Sequence, residues 1–132
     1  MSQHFEKVIE FANNLSLDIT HKDNQEELIV VSNEDRGIYN LIIDCEFPIL
    51  VMEQLIYEVK NSSAEHYTRL LQMNRNLVHG AFCLDESGKK VIFRDTLQLP
   101  NLDFNEFEGS INALSLGLAE YASELLFLNS NR

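Results

Sequence analysis

Tryptophan is absent from this sequence, and cysteine is scarce, with only two residues in a chain of 132. Cys45 and Cys83 lie far apart, and each is inside an apolar segment. A small secreted domain that relies on disulfides carries a denser set of cysteines, so a disulfide framework is not expected. We expect both thiols to be reduced and mostly buried, as isolated cysteines usually are.

Long apolar runs are missing as well. Residues 1–15 carry charged side chains between their apolar ones, unlike a secretory signal sequence. No uninterrupted run reaches the roughly 18 apolar residues that a membrane span requires. These absences predict a cytoplasmic protein.

Positive charge is in short supply: 10 Lys and Arg stand against 21 Asp and Glu, a net charge of −11. Nucleic acids and anionic membranes are bound by clustered cations, and the one tight basic pair, Lys89-Lys90, lies in a predicted turn. We therefore expect no nucleic-acid partner and no membrane partner. The negative charge either steers a neutral or basic polypeptide to the surface or only keeps the protein soluble, and both readings stay open.

Catalytic and metal-binding motifs are also lacking. The five glycines are dispersed, without a phosphate-binding loop or a nucleophile elbow. The four histidines include no pair at i and i+4 and no adjacent cysteine, which argues against zinc. His79 and Cys83 would lie roughly 13 Å apart along a strand, too far for a base and its nucleophile. We expect no enzyme activity, no cofactor and no metal.

Two acidic positions allow a second reading. Asp44 sits in an apolar segment, and we expect it to face water from the polar side of a half-buried strand rather than to be a functional buried carboxylate. Glu65 and His66 are adjacent in a predicted helix, where an exposed surface pair is expected rather than a ligand set.

Apolar residues at helical spacing predict a first helix from about Gln3 to Leu15, with Ser2 as its N-cap. A second helix begins near Ser62, where Ser62 and Glu65 have the spacing of a capping box. The stripe expected on this second helix consists of Tyr67, Leu70, Leu71 and Asn74.

The third predicted helix is the most regular feature of the sequence. Asp103 and Glu106 form an N-terminal cap pattern, and the helix extends to about Leu128. Its apolar face consists of Phe104, Phe107, Ile111, Leu114, Leu118, Tyr121, Leu125 and Leu128. At 1.5 Å per residue it is roughly 39 Å long, more than one small sheet needs. Leu116 and Phe127 project away from this face, which suggests a second covered surface.

Gly109, Ala113 and Gly117 form a small-residue stripe about 120° from the centre of that apolar face. A glycine inside a helix costs roughly 1 kcal/mol relative to alanine. Either another strand or helix approaches closely at this stripe, or the glycines are tolerated on a solvated face.

Alternating and β-branched segments predict five to six strands. They are Leu17–Thr20, Leu28–Ser32, Ile38–Glu46, Ile49–Val59, Gly80–Leu84 and Val91–Leu97. Polar turns are expected at 21–25, 33–37 and 85–89. The fourth segment, for which a helix is the alternative, places Ile49, Val51, Leu55, Tyr57 and Val59 on one face. The element order predicts a single α+β domain, residues 1–132, in which an antiparallel sheet packs against an N-terminal, a middle and a long C-terminal helix.

Most of the chain, most strongly from about Leu70 onward, resembles a known family. The residues that carry the likeness are Leu70-Leu71-Gln72-Met73-Asn74, Gly80–Leu84, Asp85–Gly88, Val91-Ile92-Phe93 and Leu97–Pro100, before the long apolar helix. In this order they resemble the YbjN-type domain and its relatives, the class I type III secretion chaperones. The resemblance implies a cytoplasmic homodimer without enzyme activity. In secretion chaperones, a partner segment wraps over apolar grooves on the sheet and first helix, whereas YbjN-type relatives have stress or regulatory roles.

The leading hypothesis is therefore a non-enzymatic, chaperone-like or adaptor module that binds a polypeptide on apolar sheet and helix surfaces. The alternative is a regulatory or stress-response sensor that encloses a small molecule between the sheet and the long helix. We also expect a homodimer at micromolar concentration, because the last helix exceeds the sheet and the resembled families pair two copies. The candidate partner or dimer surface consists of Tyr67, Leu71, Leu116, Phe127, Val51 and Leu55.

Overall fold

Three α-helices and six β-strands follow one another in the predicted order in the computed structural model, which describes residues 2–130. The helices are α1 (Gln3–Asn14), α2 (Ala64–Asn74) and α3 (Phe104–Leu128). The strands are β1 (Asp18–Asp23), β2 (Leu28–Asn33), β3 (Ile38–Glu46), β4 (Ile49–Glu58), β5 (Ala81–Leu84) and β6 (Lys90–Gln98). A 3₁₀ turn, Glu34–Arg36, precedes β3.

All six strands form one sheet in the order β1-β2-β3-β4-β6-β5, and every neighbouring pair is antiparallel. Five of the strands begin and end within about two residues of their predicted positions, as local patterns allow. The predicted α+β fold is confirmed. The exception is β1, which continues through His21, Lys22 and Asp23, where a turn was predicted. Polar residues are tolerated there because β1 is an edge strand with a single neighbour.

Side-chain caps fix where the helices begin. The predicted caps Ser2 and Asp103 each accept a hydrogen bond from the backbone amide three residues later. In α2 the cap is Ser63, whose hydroxyl accepts a hydrogen bond from the His66 amide at 3.2 Å. The capping box predicted to begin at Ser62 is therefore wrong by one residue.

The register of the strands separates their side chains into a core face and an open face. The core face is covered by the helices, and its buried residues are Ile29, Val31, Leu41, Ile43, Leu50, Met52, Gln54, Phe82, Val91 and Phe93. All the buried strand residues that follow this alternation lie on that one face. Within residues 2–130, the three helices therefore form one layer and the sheet the other.

A bulge in β4 divides the residues that the alternation placed on one face. Ile49, Val51 and Leu55 lie on the open face, opposite in direction to the core residues between them. The pairing of β4 with β6 shifts register between Leu55 and Tyr57, and Tyr57 then reaches the helix layer. The prediction that the alternating residues from Ile49 to Val59 share one face is therefore wrong beyond Leu55. An irregularity of one residue reverses the alternation there.

The buried side of α2 differs from its predicted stripe and consists of His66, Leu70 and Met73. His66 is fully buried. Its Nδ1 donates a hydrogen bond to the Asn61 carbonyl at 2.7 Å, and its Nε2 lies 2.7 Å from the Tyr57 hydroxyl. Because both ring nitrogens have partners, an imidazole can occupy the core at little cost. The prediction of an exposed surface pair is wrong for His66.

The long helix α3 contacts both other helices. Phe11 of α1 packs its ring against Phe107, with centroids 5.7 Å apart, in the N-terminal half of α3. Arg69 of α2 donates from Nη2 to Glu124 Oε1 at 2.9 Å in the C-terminal half. Leu114, at the centre of the predicted apolar face, is buried as expected.

By length and composition alone, α3 could cross a membrane, since its mean hydropathy reaches 1.2 over 18 residues. The sequence of α3 contains no long uninterrupted apolar run, because polar residues are scattered through it. Core helices of soluble proteins meet the same hydropathy criterion, and α3 buries one face against the sheet. Its high hydropathy arises because apolar residues also occupy its outward side.

Candidate interaction surfaces

The residues that the sequence analysis considered for metal binding and nucleophilic chemistry are not brought together in the described part of the chain. Within 2–130, no three His, Cys, Asp or Glu side chains are arranged to hold a metal ion. His79 lies beside Gly109 of α3 in the helix layer, whereas Cys83 is on the open face of the sheet. Burial raises the pKa of Cys83, which is the opposite of what a reactive thiolate needs. His79 and Cys83 therefore do not form a base and nucleophile pair.

Both cysteines are free, and both are half-buried rather than mostly buried, so the predicted burial is only partly right. Cys45 is on the helix side, and burial raises its pKa to about 12. Cys83 lies opposite Ile92 on the open face. The two thiols therefore lie on opposite faces of the sheet.

The open face carries a row of apolar side chains that no helix within residues 2–130 covers. Leu55 on β4 is 52% exposed and faces Ile92 of β6. Ile42 of β3 is also exposed and lies opposite Val30 of β2. Exposed apolar residues that lie together commonly mark an interaction surface. We call this set, Val30, Ile42, Ile49, Val51, Leu55 and Ile92, the open-face patch.

An ion pair crosses the middle of the open-face patch. Arg94 of β6 donates from Nε to Glu53 Oε1 of β4 at 2.9 Å. Both side chains are partly solvent-exposed, so the pair contributes little to stability, on the order of 0.2–1 kcal/mol. Along β4 it divides the apolar surface into two parts, with Val51 on one side and Leu55 on the other.

Carboxylates border one end of the open-face patch. Asp44 lies opposite Val51 on the open face. Burial, a hydrogen bond with Glu46 and the negative charges of Glu46, Glu26 and Glu53 together raise the pKa of Asp44 to about 6. Asp44 faces away from the core as expected, but this side of the strand is not polar, since Asp44 shares it with Ile42 and Val51, and its carboxyl is partly desolvated. A cation that approaches such a carboxyl favours its charged form and lowers its pKa.

The helix layer has exposed apolar residues of its own. Leu116 and Leu126 project outward from α3 and are 69% and 67% exposed. Leu71 of α2 is 73% exposed, and Val78, in the loop after α2, is 85% exposed. Val78 and Leu116 border one groove of about 390 Å³ between that loop and α3.

The small-residue stripe of α3 lines the same groove. A Cβ added to Gly117 would lie 3.1 Å from Leu77 Cδ2, closer than about nine in ten such contacts. At Gly109 the nearest side chain is His79, at 3.8 Å. The close approach that the sequence left open therefore holds for Gly117. The approaching segment is the loop after α2 rather than a strand or a helix.

The residues expected to form one partner or dimer surface are divided between two faces. Val51 and Leu55 belong to the open-face patch, whereas Leu71, Leu116 and Phe127 lie on the helix layer. The remaining residue, Tyr67, is half-buried, and its ring stacks on His66 with centroids 5.5 Å apart.

Sequence patterns missed several residues of these surfaces. Ile42 and Ile43 are adjacent in an unbroken apolar run. Because polar and apolar residues do not alternate there, the sequence does not indicate which of the two faces outward. Val78 lies in a loop without periodicity. Leu126 follows directly after a core residue, Leu125, and only its helical projection distinguishes it.

Family and structural comparisons agree with this architecture. The CesT_Tir_1 family model matches residues 1–131 of the chain. Among curated proteins, none matches the chain by sequence.

Three solved structures with the same fold are informative. YbjN from E. coli, described as a putative transcription regulator, has a TM-score of 0.66 and 13% identity, with 91% of this chain and 92% of that chain covered. A chain of the ExsC–ExsE complex has a TM-score of 0.66 and 17% identity, with both chains fully covered at 100%. The Yersinia pestis type III secretion chaperone SycH, bound to a stable fragment of YscM2, has a TM-score of 0.57 and 14% identity, with 96% and 99% covered. At these identities the likeness establishes the fold, and it confirms the resemblance to YbjN-type domains and secretion chaperones.

Proposed function

Because the chain belongs to the CesT_Tir_1 family, we propose that it is a non-enzymatic, chaperone-like module that binds a polypeptide partner. The observation that carries the proposal is the open-face patch, a row of apolar side chains left uncovered on a six-stranded sheet. A similar fold occurs in SycH bound to a fragment of YscM2, which supports a polypeptide as the ligand.

The chemistry of the open-face patch favours an extended segment with apolar side chains. Covering apolar surface stabilises a complex by roughly 25 cal/mol per Å² removed from water. Exposed residues on alternate positions of adjacent strands can receive alternate side chains of an extended segment. Asp44 and the neighbouring carboxylates favour a basic residue at one end of that segment. The partner is therefore expected to be apolar and locally basic.

We include in the proposal a homodimer and a cytoplasmic location. The exposed apolar residues on the outward side of α3 support a second copy as their cover. Two free thiols support a reducing compartment. Sedimentation equilibrium at micromolar concentration tests the first point, and fractionation of the native cell tests the second.

Paired substitutions test the binding proposal. The wild-type protein is expected to co-purify a polypeptide in stoichiometric amount, and Leu55→Glu is expected to release it. Leu71→Glu on α2 is the matched control, since it introduces the same charge at an exposed leucine on the helix layer. If Leu55→Glu retains the partner while Leu71→Glu loses it, the helix layer and not the open face binds. A wild-type protein that co-purifies only a small molecule supports the sensor alternative.

A further inference from the structure

The side chains on the open face of the sheet fall into three rows that cross β3, β4, β6 and β5. Residues that lie opposite one another on neighbouring strands point to the same face, so each row follows from the register. The first, which we call the acidic row, consists of Asp44, Val51 and Thr96. The second, the ion-pair row, consists of Ile42, Glu53 and Arg94. The third, the uncharged row, consists of Leu55, Ile92 and Cys83.

The spacing of these rows matches that of an extended polypeptide. Along β4 the rows are two residues apart, at Val51, Glu53 and Leu55, which corresponds to roughly 7 Å. Alternate side chains of an extended segment have the same separation. An extended chain packed on a sheet face in the aligned arrangement lies within about 30° of the strands beneath it. Three alternate side chains of such a segment therefore meet the three rows in turn.

The acidic row suits a cation on a long aliphatic stem. Asp44 is partly desolvated, and the charged groups that act on it are the carboxylates of Glu46, Glu26 and Glu53. Val51, directly opposite Asp44 on β4, adds an apolar neighbour. Lys and Arg place their stems along apolar surface while the charged end reaches a carboxylate or water. A lysine or arginine thus contacts both members of this row at once.

The ion-pair row suits an uncharged polar side chain. Arg94 and Glu53 already neutralise each other through the bond from Arg94 Nε to Glu53 Oε1, at 2.9 Å. Arg has five donors and a carboxylate several acceptor positions, and this bond uses one of each. A hydroxyl or amide above the pair replaces water at positions that the bond does not use. A charged side chain would instead compete with one member of the pair for the other.

The uncharged row is an apolar shelf. Leu55 is half exposed and lies opposite Ile92, which in turn lies opposite Cys83. Burial raises the pKa of the Cys83 thiol, so this side chain is neutral at physiological pH. A large apolar side chain that covers the three removes their surface from water and stabilises a complex in proportion to the area covered.

We propose that the open face recognises its partner by three alternate side chains in a fixed order. A lysine or arginine lies over the acidic row, an uncharged polar residue over the ion-pair row and a large apolar residue over the uncharged row. In the partner these are positions i, i+2 and i+4, and the order in space is the same whether the segment runs parallel or antiparallel to β4. This inference rests on the proposed function and names the class of segment that is bound.

Peptide selection tests the order and the spacing. The full chain is used at pH 7.5 to select from a phage-displayed library of random peptides of about nine residues, which extend roughly 30 Å. Enriched peptides are expected to carry a basic residue four positions from a large apolar one, in either chain direction, with an uncharged polar residue midway. Selection on Leu55→Glu, shown to be folded by circular dichroism, is expected to lose this pattern. Enrichment without a fixed spacing, or no enrichment, overturns the proposal.

A cycle of paired substitutions isolates the contact at Asp44. An enriched lysine peptide and its Lys→Gln version are titrated calorimetrically into the wild type and into Asp44→Asn. The variant is expected to bind the lysine peptide about fivefold more weakly, as for a favourable exposed ion pair, and the glutamine peptide equally well. Glu10→Gln, which removes one charge on the exposed side of α1, is the control and should change neither affinity. An equal loss for both peptides would show that Asp44 acts on the fold and not on the cation.

The middle position is tested by separating the ion pair. Arg94→Gln leaves the Glu53 carboxylate without its cation, so peptides with lysine at the middle position should gain affinity relative to those with threonine. Glu53→Gln leaves the guanidinium and should shift the preference to glutamate. A purely structural role of the pair would weaken all peptides alike in both variants, and that result overturns the assignment of the middle position.

Other results identify a different occupant or a wider failure. If Leu55→Glu changes the mass of the free protein in sedimentation equilibrium, a second copy covers the open face and the three-row recognition is overturned. A co-purified polypeptide that Leu55→Glu releases, together with selected peptides that lack the spacing, leaves the proposed function intact and rejects only the order of side chains. If no polypeptide co-purifies and no peptide is enriched, both are rejected.

Discussion

The side-chain amide of Asn74 closes the outer edge of the sheet at Phe82. Its Nδ2 donates to the Phe82 carbonyl at 2.9 Å, and its Oδ1 accepts from the Phe82 amide at 2.8 Å. Asn74 thereby takes the position that another strand would occupy beside β5. Natural sheets block exposed edges in this way because unpaired backbone groups invite pairing with another chain.

Replacing Asn74 is therefore expected to weaken the fold and expose the edge. Asn74→Ala removes both hydrogen bonds and should lower the free energy of unfolding by about 1–3 kcal/mol. Urea unfolding measures the loss, and light scattering measures any added association. Asn105→Ala, at an exposed site of α3, is the control for the helical effect of the same substitution. An equal effect at both positions would show that the Phe82 contact contributes nothing.

A second prediction concerns the core face of α3. Leu114 is 1% exposed, so Leu114→Asp places an unpaired carboxylate in the core and should cost about 3–5 kcal/mol or unfold the protein. Leu71→Asp, at an exposed leucine, should change stability by less than about 0.5 kcal/mol. Thermal unfolding at fixed concentration compares the two. A small effect at Leu114 would contradict the assignment of the core face.

A third prediction follows from the raised pKa of Asp44. The pKa of this carboxyl is about 6 in the folded protein against an ordinary 3.8, so the folded state binds the proton more tightly than the unfolded state. Its contribution to stability is therefore complete below about pH 4 and is lost as pH rises through 6. Asp44→Asn should stabilise the protein by about 1 kcal/mol at pH 7.5, after allowance for solvent screening.

Urea unfolding at two pH values checks this expectation. The advantage of Asp44→Asn should disappear near pH 4, where the folded protein holds both side chains neutral. Glu10→Gln on the exposed side of α1 removes one negative charge far from the cluster and serves as the control. A benefit that is equal at both pH values would exclude the titration of Asp44 as its cause.

The sequence is informative wherever a local signal decides the structure. The cap at Asp103, the regular spacing through Leu128 and the strand Ile38–Glu46 all depend on residues close together in the chain, and each was predicted correctly. The antiparallel sheet with three helices follows from their order.

The remaining features depend on tertiary contacts that local patterns do not contain. His66 is polar, yet it is buried because Tyr57 and Asn61 satisfy both ring nitrogens. Leu71 is apolar, yet it is exposed because α2 turns His66 and Leu70 toward the core. In β4 a single bulge decides which residues join the open face. Sequence periodicity could not indicate any of these three outcomes.

The two cysteines provide the most direct test of partner binding at the open-face patch. Cys83 lies on that face, opposite Ile92, whereas Cys45 lies on the helix side of the sheet. With a co-purified polypeptide at about ten times its Kd, the rate of thiol labelling at Cys83 should fall about tenfold while that at Cys45 is unchanged. Mass spectrometry of the labelled peptides measures both rates in one sample. Protection of Cys45 with no change at Cys83 would contradict the account.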